Sequence, residues 1–410
     1  MASLYFSRDT KLFVKSPATF GETDHASASH HEIRILDGFS FSQSDNSTEI
    51  TPNEGVVLDA TVSTLNRNTH KFRTSNNPVD FSFQTYARPY KSTSTSATVL
   101  GGDSNPSSTF ATTAAPVTAP EMILWAMFAG CNQINNTGTY RTPKGTTTVP
   151  TATTTKVQFS NSNIPRAYEE FELIFQIEEG DKPSVAGRFS TYTITKPIIT
   201  ECTIDFDLEG LATYTWTGQG ATLINVEGQN QIDPAAATTI NEGISTANFI
   251  QNKLSSVVID PPSSPASVAL NSGSNYTLVL TGGSITLSNN VTYLTPDEIS
   301  RVNNPFTHFL GTLGVSGNIT AYVEKGDNKS SDLFRDLSTS TNRTQNVALA
   351  ITIGSGSSEN VTFNITNAHL DLPTTNIEDV ISVDIPFVGL SSNISTETIP
   401  SLDVIYTVPA

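Results

Sequence analysis

Along most of the chain, apolar and polar residues alternate with a period of two. IRILDGFSFSQ (33–43), DFSFQTYARPY (80–90), EFELIFQIE (170–178) and RFSTYTITK (188–196) follow this pattern. So do CTIDFDLEG (202–210), LATYTWTG (211–218), NITAYVEK (318–325), NVALAITIG (346–354) and VISVDIPFV (380–388). Alternation puts one face of a sheet on a core and the other toward water. Val, Ile, Thr, Tyr and Phe dominate these runs, as strands prefer. The pattern predicts a mainly β, antiparallel architecture. Helical signals are few. APEMILWAMFAG (119–130) has Pro120 near the first turn, Glu121 at the positive end and Gly130 after the last turn. It has almost no polar face, so it is expected inside the protein. SSDLFRDLS (330–338) opens on capping residues and sets Leu333 and Leu337 one turn apart.

Between these runs lie long Ser/Thr/Pro/Gly-rich stretches, 91–118 and 138–156, expected as surface loops. Residues 219–305 read as a long insertion or appended subdomain with two short strand candidates, YTLVLTGG (276–283) and SITLSN (284–289). An internal repeat is more informative. Shifted by 171 positions, 191–218 falls on 362–389. Thr191/Thr362, Ile194/Ile365, Thr195/Thr366, Thr203/Thr374 and Gly218/Gly389 are identical, and Trp216 meets Phe387. Element order also recurs: hairpin, strand, helix, strand, strand. The expectation is two copies of one β domain, 1–200 and 201–410.

Composition narrows the function. Lys and Arg number 22 against 39 Asp and Glu, a net charge of −17. Charged residues make up only 15% of the chain, below the about 25% of an ordinary domain, while 37% is hydrophobic. That supplies a core and excludes global disorder. An acidic chain is a poor wrapper of nucleic acid, because phosphate binding needs Lys and Arg. No apolar run approaches the ~20 residues of a membrane helix, and the start lacks the pattern of a secretory leader. Cys131 and Cys202 make neither a disulfide framework nor a four-thiolate zinc site. The expectation is synthesis and folding in a reducing cytoplasm.

Candidate chemistry is thin. DFDLEG (205–210) opens like a calcium loop, but Trp216 stands where the twelfth-position Glu belongs. His25, His30 and His31 lack a further ligand. No nucleophile elbow, phosphate loop or dinucleotide fingerprint appears. No catalytic, cofactor or metal site is expected, and the chain does not read as an enzyme.

YFSRDTKLFVK (5–15), EIRILDGFSFSQSDNSTEITPNE (32–54), VDFSFQTYARPYK (79–91) and MILWAMFAG (122–130) together resemble phage major tail tube proteins. ECTIDFDLEGLATYTWTGQG (201–220) resembles the second hairpin of the same family. The resemblance implies two tandem tail-tube domains, each an antiparallel β-sandwich with a barrel-forming sheet and one short α-helix. It implies a virion protein made in the host cytoplasm, with trimeric rings of this chain stacked into a tube. DNA passes through such a tube without specific binding. The other implied partners are tail proteins: tape measure, terminator, baseplate or tip, and sheath where the tail has one. No membrane is involved.

Alternation then names the lumen-lining candidates: Ser40, Ser42, Glu49, Thr51, Asp205, Asp207, Glu209, Thr213, Thr215 and Thr217. Opposite them Phe39, Phe41, Ile204, Phe206, Leu208, Tyr214 and Trp216 are expected in the core. The rival is a β-rich tail fibre or receptor-binding protein. A fibre needs trimeric repeats or aromatic sugar platforms in loops, whereas Trp125 and Trp216 both fall in expected core.

Overall fold

The computed structural model describes residues 5–15, 30–50, 69–91, 96–97, 110–111, 117–129, 147–150, 154–159, 170–179, 189–227, 249–261, 274–299, 302–339, 346–377, 379–391 and 402–408. In the first half the strands are β1 (Tyr5–Lys15), β2 (His30–Ile33), β3 (Ser40–Ile50), β4 (His70–Tyr86), β5 (Tyr90–Lys91), β6 (Ser96–Ala97), β7 (Phe110–Ala111) and β8 (Val117–Thr118). Helix α1 (Met122–Ala129) precedes β9 (Thr147–Pro150), β10 (Thr154–Phe159), β11 (Glu172–Glu179) and β12 (Phe189–Thr195). The middle of the chain forms β13 (Ile198–Asp207), β14 (Thr213–Gly220), β15 (Thr222–Glu227), β16 (Ser256–Asp260), β17 (Tyr276–Thr277), β18 (Leu280–Ser288), β19 (Val291–Leu294), β20 (Thr307–Leu310) and β21 (Gly314–Tyr322). Helix α2 (Ser330–Thr339) and β22 (Val347–Gly354), β23 (Asn360–Leu370), β24 (Thr374–Asn376), β25 (Ser382–Gly389) and β26 (Leu402–Thr407) complete it. The architecture is mainly β, with antiparallel pairing throughout both large sheets.

One sheet of 15 strands carries the order β17-β16-β22-β23-β25-β21-β18-β13-β14-β4-β3, with β24 on β25 and β26 linking β23 to β10 and β9. A five-stranded sheet, β15-β12-β11-β1-β2, packs behind its β3 end. There Phe41 sits 4.7 Å from Phe175 and 5.0 Å from Tyr192, ring centre to centre. The main apolar core draws on both halves of the chain, from Leu12 and Phe83 to Tyr406.

Helix α1 is sunk into that core. Trp125 packs edge-on against Trp216 and Tyr214, and its indole N–H donates to the Tyr406 hydroxyl at 2.7 Å. Tyr406 in turn donates to Tyr214 at 3.0 Å. Burial of polar groups is tolerated here because each finds a partner. Helix α2 buries Leu333 and Leu337, and its buried Asp336 accepts from Tyr276 at 2.6 Å.

Three expectations change. The Thr-rich stretch 138–156 is not all loop: β9 and β10 pair there, and β10 pairs with the distant β26, closed by a Lys156–Asp403 ion pair at 2.5 Å. Likewise β5 to β8 place short pairs within 90–118. The zone 219–305 is not an appendage in its described parts, since β15 edges one sheet and β18 fills the centre of the other, between β13 and β21. The two strand candidates, divided after Gly283, meet in one strand, Leu280–Ser288, while the start of the first, Tyr276–Thr277, is the separate strand β17.

The offset of 171 positions maps strand onto strand. It lays β12, β13 and β14 on β23, β24 and β25. Trp216 and Phe387 are both buried, as are Gly218 and Gly389. Gly218 faces the Phe81 ring so closely that a Cβ there would meet it at 2.3 Å. Gly317 faces Phe387 in the same way, at 2.4 Å. Small residues opposite aromatic rings let the sheet curl without a clash.

Candidate functional site: a polar sheet face between two open edges

The strands β3, β4, β14, β13, β18, β21 and β25 turn one face to the core and the other outward, and the register aligns the outward residues into rows. One row runs Gln84, Thr215, Thr203, Thr286, Ser316, Val388. The next runs Tyr86, Thr213, Asp205, Ser284, Asn318, Pro386. A third runs Asp207, Gly282, Thr320, Asp384, Thr374. On the other side Ser40, Ser82, Thr217, Glu201 and Ser288 line up. As far as β25, no Lys, Arg or His appears in these rows among the described residues; beyond it His369 on β23 follows Val388, 3.5 Å from the Asp371 carboxylate. The charges on the face are the carboxylates Asp80, Glu201, Asp205, Asp207 and Asp384.

Several hydroxyls and amides on this face bond to one another or to its carboxylates. Gln84 donates to Thr215 at 3.1 Å, Thr203 and Thr286 share a 3.3 Å contact, and Gln219 donates to Asp80 at 3.0 Å. Asp384 accepts from Thr320 and Asn376, each at 2.6 Å. The Thr320 bond, foremost, holds the Asp384 carboxyl below the usual carboxylate range. Asp205 is pushed the other way, first by partial burial and then by the neighbouring Asp207 charge. The result is a largely hydroxylated and acidic surface.

The expected residues divide. Ser40, Ser42, Asp205, Asp207, Thr213, Thr215 and Thr217 all lie on this outward face, opposite buried Ile204, Phe206, Tyr214 and Trp216. Glu209 does not share the strand face: β13 ends at Asp207, and Gly210, at φ +103°, turns the chain away. For the same reason Leu208 is exposed rather than core. Glu49 lies on an arm beyond the body of the sheet. Register shifts at Gln43/Asp45 and Asn46/Ser47 break the phase, and the last contact of β4 with β14 is Val79 with Gly220. Thr51 lies outside the described residues. DFDLEG forms a strand end and bend, with Asn252 donating to Asp207 at 3.3 Å. The rest of the face, on β18, β21 and β25, was not anticipated as part of it, although the alternation in NITAYVEK and VISVDIPFV carried the signal.

The sheet is open in one chain, so the expected barrel is not closed. Among the described strands, β3 pairs only with β4, and β24 only with β25. The unpaired borders of the polar face are thus β3 and, alongside the start of β25, β24, while the end of β25 pairs with β23. The equivalents at offset 171 show what an open border leaves bare: Phe206 on β13 is 3% exposed because β18 covers it, whereas Ile377, just past β24, is 81% exposed.

No family model matches the chain. It is similar to Tail tube protein pb6 of Escherichia phage T5, 27% identical over 398 residues that span 96% of this chain and 74% of the relative. A likeness across nearly the whole chain supports a phage tail tube protein. The same likeness supports a structural role in a phage tail. No helix among the described residues is long and apolar enough to cross a membrane.

Proposed function

We infer that three copies of this chain close a ring by pairing the β3 edge of one copy with the β24 edge of the next, and that stacked rings form the tube through which phage DNA leaves. The observation that carries this reading is the polar face bounded by two open edges. Within the chain, β13 of the first unit already pairs with β18 of the second along seven register positions from Glu201 to Asp207. In the repeat, β13 corresponds to β24, while β3 and β18 each open a hairpin that is followed by a helix. The β24–β3 junction between copies repeats the β13–β18 junction inside one. It covers Ile377 as β18 covers Phe206, and it removes both unpaired edges.

Two units per chain, the first running past the expected boundary at 200 to include β13 and β14, make three chains a pseudo-sixfold ring. The outward face then becomes the channel lining. Its carboxylates repel phosphate, and the absence of cations along the described rows as far as β25 leaves phosphate nothing to grip there. Tape measure, terminator and baseplate or tip proteins are the expected partners at the tube's interior and ends. A disulfide tests the junction. Ser40→Cys on β3 combined with Thr374→Cys on β24, two outward-facing positions that take the places of Thr286 and Thr203 in the β13–β18 junction, oxidised after assembly, is expected to give covalent trimers on a denaturing gel. Dimers that never extend to a closed trimer, or no cross-link in assembled tubes, refute the edge pairing.

A further inference from the structure

The two ends of the polar sheet differ from its faces: both carry large apolar side chains in the open. At one end the hairpin β18–β21 extends as a finger, β19–β20. Its inner face is fixed, with Val291 and Tyr293 packed on Ile198 and Ala221, and the Tyr293 hydroxyl donating to the Lys196 carbonyl. The segment that joins its two strands is gripped by the first hairpin, where Asn76 N donates to Asn303 O at 2.8 Å and Asn303 N to Thr74 O at 3.1 Å. The outer side carries Leu294, Phe306 at 70% exposure and Phe309 at 64%, with Ile299 beyond them. At the other end, ~30 Å away along the nine residues of β18, Leu208, Leu254, Val279, Val323 and Val380 are each about half-exposed at the ends of neighbouring elements. Val323 N donates to Ile381 O at 2.9 Å, which holds that rim in place.

We propose that the β19–β20 finger of one copy docks on the Leu208–Val323–Val380 rim of a copy in the next ring, so that rings stack head to tail through apolar contacts. This rests on the ring reading above. A second copy is the occupant because finger and rim lie at opposite ends of the same strands. That places complementary surfaces on opposite sides of one molecule, the arrangement that propagates without closing on itself. Large apolar side chains left exposed together at each end mark an interaction site. The finger is already held against the body, so docking costs little ordering entropy. The sheet edges and the polar face are left free for ring closure and the channel.

The experiment uses two variants of the full chain imaged by electron microscopy. Phe306→Ser with Phe309→Ser removes the finger contact, and Leu208→Asp with Val323→Asp spoils the rim. All four residues are exposed, and circular dichroism checks that each variant is folded. Each variant alone is expected to give single rings and to lose tubes. Mixed, the two are expected to form ring pairs and no longer stacks, because one variant retains a working rim and the other a working finger. Normal tubes from either variant, or a mixture that stays as single rings, overturn the pairing. Wild-type protein that forms no rings contradicts the ring reading, and this pairing falls with it.

Discussion

Replacing Glu121 with glutamine should make the protein more stable above neutral pH, and the size of the effect follows from its surroundings. Glu121 precedes α1 and is 1% exposed. A carboxylate at a helix N-terminus is ordinarily favoured, and its Oε1 accepts the Arg88 backbone N–H at 3.3 Å. Burial outweighs these effects and raises the pKa from 4.5 to about 7. Between those values the unfolded chain has released a proton that the folded chain still holds. Each rise in pH in that window therefore favours unfolding. At ~1.4 kcal/mol per pH unit, the loss reaches about 3 kcal/mol and is complete above pH 7. The substituted amide has no proton to lose. Urea unfolding of wild-type and Glu121→Gln protein from pH 4.5 to 8 should show equal stability at the acid end and a gap of about 3 kcal/mol at pH 8. A gap that does not change with pH, or a variant less stable at pH 8, refutes the reasoning.

Other outcomes follow from the same structure. Gly317→Ala places a Cβ 2.2 Å from the Ser284 carbonyl and 2.4 Å from the Phe387 ring. It should cost about 3 kcal/mol in chemical unfolding, and a wild-type midpoint would contradict the close packing. Tyr406→Phe removes the acceptor of the Trp125 N–H and leaves that donor buried. It should cost about 2 kcal/mol by the same assay. Asp205→Lys with Asp207→Lys leaves the core face untouched, so tubes should still assemble while DNA release slows in low salt, where charges act over ~10 Å or more. Unchanged release from phage carrying assembled variant tubes would argue against these acids facing the channel.

Much of the fold was legible because half-buried strands write their burial directly into the sequence. Phe39 and Phe41 against Ser40 and Ser42, or Tyr214 and Trp216 against Thr213 and Thr215, gave both the strand and its faces. The helices stood out as the runs without that period. What escaped depended on partners far along the chain. β10, TTKVQF, looks like part of a Thr-rich loop, yet it is held by β26 about 250 residues later. Glycine misled at Gly282-Gly283, which reads as a turn. A Cβ on Gly283 would meet the Phe206 ring at 2.5 Å, so the glycine there makes room inside a central strand. At Gly210 glycine did mark a turn, and that turn removed Leu208 from the core and Glu209 from the acidic row. The register shifts that carry Glu49 off the sheet face have no local sequence mark.

A symmetry-resolved reconstruction of the assembled tube by electron cryomicroscopy tests the central claim most directly. It should show three chains per ring, the β3 edge of each beside the β24 edge of its neighbour, and Asp205, Thr215 and Thr286 facing the channel. Six chains per ring, or the Asp205 row on the outer wall, would contradict it.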